Sequence, residues 1–163
     1  MANTQAMCTS FMQQLMVGEH QLGTATLVSR TSLTAPTTDT LKAALYLTTA
    51  TVNAATTAYS ASNEVSNTGY STNSVTITNA TAPNSTNTSA TAGVAFFTPS
   101  ASITYTTVTL STAFDAVLIY NSTQSNKAIS VHTFGSQTIT AGTFTLTMPA
   151  NGASTALIRL ATT

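Results

Sequence analysis

The chain has 163 residues, zero formal net charge and only 5% charged side chains, against about 25% in ordinary globular domains. Four cations, Arg30, Lys42, Lys127 and Arg159, lie scattered along it, which argues against nucleic-acid binding, because counterion release needs several Lys or Arg side chains together. With 42% hydrophobic residues it is also unlike a disordered chain, which combines low hydrophobicity with high charge.

The segment Met1 to Gln21 has no basic n-region, and its apolar stretch is broken by Gln13 and Gln14, so it does not read as a secretory signal. Cys8 is the single cysteine, so no internal disulfide is available. A short helix is predicted over about 10–18. Ser10 is placed to cap it, with Gln13 three residues on as in a capping box, and Gly18 is placed to end it in the left-handed conformation. Phe11 and Leu15 share one face, with Met12 and Met16 beside them. Two turns do not stand alone in water, so this helix must pack on something. It either covers one end of a sheet or serves as a contact arm for a neighbouring subunit.

From about residue 22 the pattern is that of strands. Nearly one residue in four is threonine, a β-branched residue suited to a pleated, half-buried surface. Thr24–Ser29 is a short candidate, and Thr31–Thr40 with Pro36 reads as a loop. Leu41, Ala43, Leu45 and Leu47 alternate with Lys42, Ala44 and Tyr46, which predicts a half-buried strand. Ala50–Tyr70 reads as a long loop with one short pairing near Tyr59. Ser74–Thr78 predicts a strand, Asn79–Gly93 a loop, and Phe96 and Phe97 precede a turn at Thr98-Pro99. Ile103 and Tyr105 keep one face while Val108 and Leu110 are one step out of phase, so a β-bulge is predicted at Thr106 or Thr107. Ala116–Tyr120 is a continuous apolar run, predicted as a central strand buried on both faces. Strands from Ile129 to Gly135, over Thr143–Met148 and over Leu157–Leu160 complete the set. The prediction is one all-β domain over 1–163: an antiparallel sandwich or jelly-roll barrel of about eight strands over 22–163, with one short N-terminal helix.

Catalytic chemistry needs titratable groups gathered in a pocket. The chain offers His20, His132, Asp39, Asp115, Glu19, Glu64 and Cys8, with no metal-ligand spacing and no nucleophile elbow, P-loop or dinucleotide fingerprint. A triad from His132, Asp115 and one of many serines carries no weight in a serine-rich chain. The expectation is therefore no enzyme, no metal and no cofactor. Four Asn-x-Ser/Thr sequons, at Asn79, Asn84, Asn87 and Asn121, are what chance produces in such a composition.

Several stretches together resemble a known family. They are Cys8-Thr9-Ser10-Phe11, Leu41-Lys42-Ala43-Ala44-Leu45-Tyr46, Thr57-Ala58-Tyr59-Ser60, Asn63-Glu64-Val65, Thr68-Gly69-Tyr70, Val117-Leu118-Ile119-Tyr120-Asn121, Asn126-Lys127-Ala128, Phe134-Gly135 and Ala141-Gly142-Thr143-Phe144. In this order they are similar to small β-rich proteins encoded among the structural genes of tailed bacteriophages, notably phages of aquatic bacteria. The chain departs from that pattern at Ser71-Thr72-Asn73, where Gly-Gly is frequent, and at Asp115-Ala116, where a basic residue is common. The resemblance implies a virion component, such as a capsid decoration (cement) protein bound to the major capsid protein, or else a tail, baseplate or fibre-associated module that binds a receptor or glycan. A neutral, hydroxyl-rich surface suits such an assembly, and a homo-oligomer, dimer or trimer, is its natural form. No run reaches the ~20 apolar residues of a membrane helix, and no membrane partner is expected. The candidate subunit contacts are Phe11, Leu15, Met16, Tyr59 and Tyr70, with the loops Ala50–Tyr70 and Asn79–Gly93.

Overall fold

One pair of long antiparallel strands organises the protein. The computed structural model describes residues 2–16, 18–23, 38–72, 75–77, 82–86, 93–99 and 101–161. In chain order the elements are β1 (Ala6–Met7), α1 (Thr9–Met16), β2 (Leu41–Leu47), β3 (Val75–Thr76), β4 (Asn84–Ser85), β5 (Val94–Phe97), β6 (Ile103–Asn121), β7 (Lys127–Leu146) and β8 (Ile158–Ala161). They form two antiparallel sheets, β1-β7-β6-β2-β3 and β4-β5-β8. This is the predicted all-β sandwich with one short helix. The candidate strand Thr24–Ser29 and most of the loop around Pro36 lie outside the described residues.

The strand bounds differ from expectation in an instructive way. The predicted pieces 103–110 and 116–120 are one strand, β6, and the pieces beginning at Ile129 and Thr143 are one strand, β7. Polar stretches such as Ser111-Thr112 and Ser136-Gln137 interrupt the apolar alternation, yet both strands stay extended because each has the other as its hydrogen-bonding partner. Two further strands, β1 and β4, are two residues long, too short for any periodicity to announce them; β4 lies inside the predicted loop Asn79–Gly93.

The ribbon changes character along its length. At its base, Val117 to Tyr120 pair with Ala43 to Leu45 and Lys42 of β2 on one side, and with His132 to Ala128 of β7 on the other. The run Ala116–Tyr120 is buried throughout, as predicted for a central strand. β2 is more deeply covered than its alternation suggested, because Ala44 and Tyr46 are buried as well as Leu41, Ala43 and Leu45. The segment 50–70 lies over that second face: Tyr46 donates to the Ser60 carbonyl at 2.5 Å, and Tyr59 stacks on Tyr120 with ring centroids 4.6 Å apart. Towards its other end the ribbon is one-sided. Ile103, Tyr105, Val108 and Leu110 are buried, while Thr104, Thr106, Thr143, Thr145 and Thr147 are exposed.

The predicted bulge is present. Pairing shifts between Tyr105 and Val108, and Thr107 carries a positive φ of 55°. A β-branched residue is strained there. The adjacent loop explains why the kink persists. Gly69, at φ 81°, sits so close that a Cβ on it would lie 2.4 Å from the Thr107 carbonyl oxygen. Thr109 donates its N–H to the Thr68 carbonyl at 2.9 Å, which docks that loop on the kinked strand.

This contact yields a paired expectation. Gly69→Ala should cost about 2 kcal/mol or more, because both φ and space forbid the methyl. Thr107→Gly should be neutral or stabilising by up to about 1 kcal/mol, because it relieves positive-φ strain. Urea unfolding of the two variants checks this, and equal effects would contradict it.

Candidate contact surface

α1 is built onto the ribbon from its first residue. β1 pairs with β7 through Ala6↔Val131 and Met7↔Ser130. Cys8 then donates its N–H to the Ile129 carbonyl at 3.0 Å, and Thr9 donates to the Ala54 carbonyl at 2.9 Å. These bonds place the helix start one residue before the expected cap. Ser10 lies inside the helix, and its hydroxyl is buried with no hydrogen-bond partner, so the predicted capping box does not form. The Ile129 carbonyl of β7 and the Ala54 carbonyl of the 50–70 segment instead take the N–H groups of Cys8 and Thr9 at the helix start. The Cys8 thiol is fully buried, and burial pushes it up to about 11, which leaves it unreactive at neutral pH.

The far end of the helix closes as predicted. Gly18 has φ 74° and donates to the Leu15 carbonyl at 3.1 Å, while Glu19 donates to the Gln14 carbonyl at 3.0 Å. This pair of bonds is the Schellman arrangement, which satisfies two of the last carbonyls of the helix. The chain then enters a polar cluster. His20 Nε2 lies 2.8 Å from Gln14 Oε1, and its Nδ1 lies 2.9 Å from Asn121 Nδ2. Asn121, fully buried at the end of β6, donates also to Asp39 Oδ2 at 2.6 Å. Gln21 N–H donates to the same carboxylate oxygen at 2.8 Å. Because the amide N–H group points at Nδ1, His20 carries its proton on Nε2. An ion pair between Lys127 and Glu19 lies alongside. The helix end is thereby tied to the turn between β6 and β7.

That anchoring decides which side of α1 faces out. Phe11 is fully buried and meets His20 edge-on with ring centroids 5.0 Å apart. Leu15 packs partly against the same core. Met12 and Met16 point outward, 42% and 87% exposed, and Leu160 of β8 stands beside them at 40%. Met12, Leu15, Met16 and Leu160 line an open depression of about 340 Å³. Across Leu15 and Leu160 a second groove of about 240 Å³ runs between α1 and the small sheet, walled by Leu22, Ala95, Phe96 and Ile158.

Of the five residues expected to make contacts, Met16 and in part Leu15 lie on this face. Phe11 has no surface to offer a neighbour. Tyr59 and Tyr70 are elsewhere, in a cluster that brings together all five tyrosines of the chain around one carboxylate. Tyr59 donates to Glu64 Oε2 at 2.6 Å and Tyr70 to Glu64 Oε1 at 2.7 Å. Tyr70 also accepts the Leu45 N–H at 3.0 Å. Glu64 and Tyr70 are buried. Tyr70 packs against Tyr105 with centroids 5.5 Å apart, and the Tyr105 hydroxyl is buried with no partner. Sequence reasoning missed Leu160 and the groove, because nothing local announces that residues near 160 lie beside residues 12–16. It missed the tyrosine cluster for the same reason.

Ser130 Oγ lies 2.9 Å from His132 Nε2. Asp115, the acid a triad would need, instead accepts from Asn3 Nδ2 at 2.5 Å. Burial lowers His132 to about 4, far from the value near 7 that suits a general base. Among the described residues no three His, Cys, Asp or Glu side chains could share a metal ion, and no helix is long and apolar enough to cross a membrane. Asn121, in one of the four sequons, is buried.

The buried titratable groups give two expectations of opposite sense. Burial lowers both histidines in the fold, and at His20 the Asp39 carboxylate opposes that shift in part. The His132 contribution to stability is complete above the unfolded value of about 6.5 and is lost as pH falls towards 4, up to about 3 kcal/mol, and His20 acts in the same direction. The thermal midpoint should therefore drop between about pH 6.5 and 4, and His132→Gln should flatten that drop. Tyr46 is pushed up to about 12 by burial, and burial followed by the Glu64 contacts raises Tyr59 and Tyr70 as well. Neutral tyrosines stabilise the fold up to about pH 10 and lose that effect above it. Tyrosinate absorbance should thus appear together with loss of the β-sheet circular dichroism. A smooth titration in an intact fold would contradict a closed cluster.

Comparison of the chain with known protein families, with curated proteins and with solved structures finds no match.

Proposed function

We propose that this chain is a structural subunit of a larger assembly, a virion component of a tailed bacteriophage that decorates and cements the capsid, and that it has no catalytic role. The observation that carries the structural reading is where the chain spends its polar and apolar groups. Titratable side chains are engaged in internal bonds: Glu64 with tyrosines, Asp39 with Asn121, Asp115 with Asn3 and Glu19 with Lys127. The large hydrophobic side chains exposed among the described residues are Met12, Met16 and Leu160, and all three fall on one depression. A contiguous apolar face of this kind marks a binding surface. The phage setting is supported by the ordered sequence resemblance.

In this reading a rigid sandwich sits across a junction between capsid subunits. Its α1 face supplies apolar burial, and its threonine-rich ribbon supplies neutral hydroxyl contacts. The added buried area offsets the pressure of packaged DNA. A glycan-binding tail module is less well supported, because aromatic binding platforms need exposed rings, whereas Tyr70 and Tyr105 are buried and Tyr59 stacks on Tyr120.

A reconstruction of the intact virion tests the proposal. Density for this fold should repeat with the symmetry of the head, at the junctions between capsid subunits. Density confined to the tail would replace the cement role with a tail role. Purified virions that lack the chain would remove the virion reading.

A further inference from the structure

The connection from β7 to β8, residues 147–157, carries the single Asn-Gly pair of the chain, Asn151-Gly152. Asn151 is exposed, and its side-chain amide has no hydrogen-bond partner among the described residues. The Gly152 N–H donates to the Ala150 carbonyl at 2.9 Å, and that carbonyl also accepts the Thr155 hydroxyl at 2.9 Å. Opening the first bond therefore leaves the carbonyl partnered, and bonds in surface turns open at low cost. Gly152 has no Cβ to shield its nitrogen. Serine is the next least hindering neighbour, so Asn84-Ser85 and Asn121-Ser122 offer a comparison. Asn84 Oδ1 is engaged by the Ser85 N–H at 2.7 Å. Asn121 is fully buried, with its Nδ2 on His20 and Asp39 and its Oδ1 accepting from the Thr123 and Gln124 N–H groups. The nitrogen beside it, that of Ser122, donates to the Thr40 carbonyl at 2.9 Å.

We propose that Asn151 is a self-modification site, which converts to aspartate and isoaspartate with water as the co-reactant. The Gly152 nitrogen attacks Asn151 Cγ. A new C–N bond forms, the Cγ–Nδ2 bond breaks, and ammonia leaves with the proton of the Gly152 N–H. Water then opens the cyclic imide at one of its two carbonyls. Opening at Cγ gives aspartate. Opening at the main-chain carbonyl gives isoaspartate, in which the backbone runs through the side chain and is one methylene longer. No oxidant, metal or second protein is needed. The chain has four acidic residues and zero formal net charge, so a fifth carboxylate is a large relative change. It arises on the turn that holds Arg159, whose Nε donates to the Ala153 carbonyl at 2.7 Å and which pairs with no carboxylate among the described residues. The isoaspartate form also lengthens the link between the two sheets, since β7 belongs to one and β8 to the other. The inference rests on the turn alone and is independent of where the chain works.

Incubation of the folded full chain in mildly alkaline buffer tests this. Ammonia should be released, and an acidic band should grow on isoelectric focusing. Peptide mapping by mass spectrometry should place the new acid at Asn151, with isoaspartate exceeding aspartate. Asn121 should react at least about tenfold more slowly, because its atoms are freed only when the fold opens. In urea, where burial no longer protects it, that difference should narrow. Asn151→Gln should remove the early acidic band, because the longer side chain closes a less favourable ring. Its circular dichroism should match wild type, since the Asn151 side chain is exposed and holds nothing in place. An Asn151 that stays an amide in the folded chain overturns the inference, whatever happens in urea. So does an acidic band undiminished in Asn151→Gln, or an Asn121 that reacts as fast as Asn151 in the folded chain.

Discussion

The pairing of β6 with β7 is the interaction on which the other elements depend. It runs from Ile103↔Leu146 to Asn121↔Lys127. β2 adds to β6 and β1 adds to β7 only at the base of the ribbon, where both faces are covered. α1 follows directly from β1, so the position of the helix is inherited from the same pairing. The ribbon tolerates several register breaks. Each break re-aims side chains and adds twist, which lets a single hairpin serve as a core strand at one end and a one-sided surface at the other.

Two of the four carboxylates, Asp39 and Glu64, are buried. The Glu64 carboxylate is satisfied by two tyrosine hydroxyls, and the Asp39 carboxylate by an amide side chain and a backbone N–H. Buried charges are tolerable only when hydrogen-bonded in this way. Each cluster joins segments distant in sequence: the 59–70 loop to β2 in one case, and the helix end to the β6–β7 turn in the other. Polar satisfaction thus substitutes for the disulfides that the single Cys8 cannot form. It also leaves the outside poor in charge, so little electrostatic repulsion opposes association.

The proposed structural role draws on that distribution. Among the described residues, Glu64, Asp39, Asp115 and Glu19 are all bonded within the fold. The accessible feature is an apolar face whose orientation is fixed by the Schellman end of α1 and by His20, Asn121 and Asp39 behind it. The anchoring groups are not themselves the contact; they decide that Met12 and Met16 point outward while Phe11 points in.

Local pattern was enough to read several features. Threonine richness and period-2 alternation specify β-structure, and the apolar run Ala116–Tyr120 specifies a strand covered on both faces. The phase slip at Thr106-Thr107 specifies a bulge, and Gly18 specifies a helix end. Each depends on residues within a few positions of one another, where backbone sterics and side-chain alternation act. What the sequence by itself could not determine was set by contacts between distant segments. Tyr70 is a core residue and Tyr59 a half-buried one packed on the core, because Glu64 and Tyr120 meet them. Ser10 is no cap because the helix already starts at Thr9, whose N–H bonds the Ala54 carbonyl, after Cys8 has bonded the Ile129 carbonyl. Leu160 joins Met12 and Met16 because the small sheet places β8 beside α1. Alternation states that a side chain needs cover, but only the tertiary structure decides what covers it, because burial is a property of packed neighbours and not of the residue.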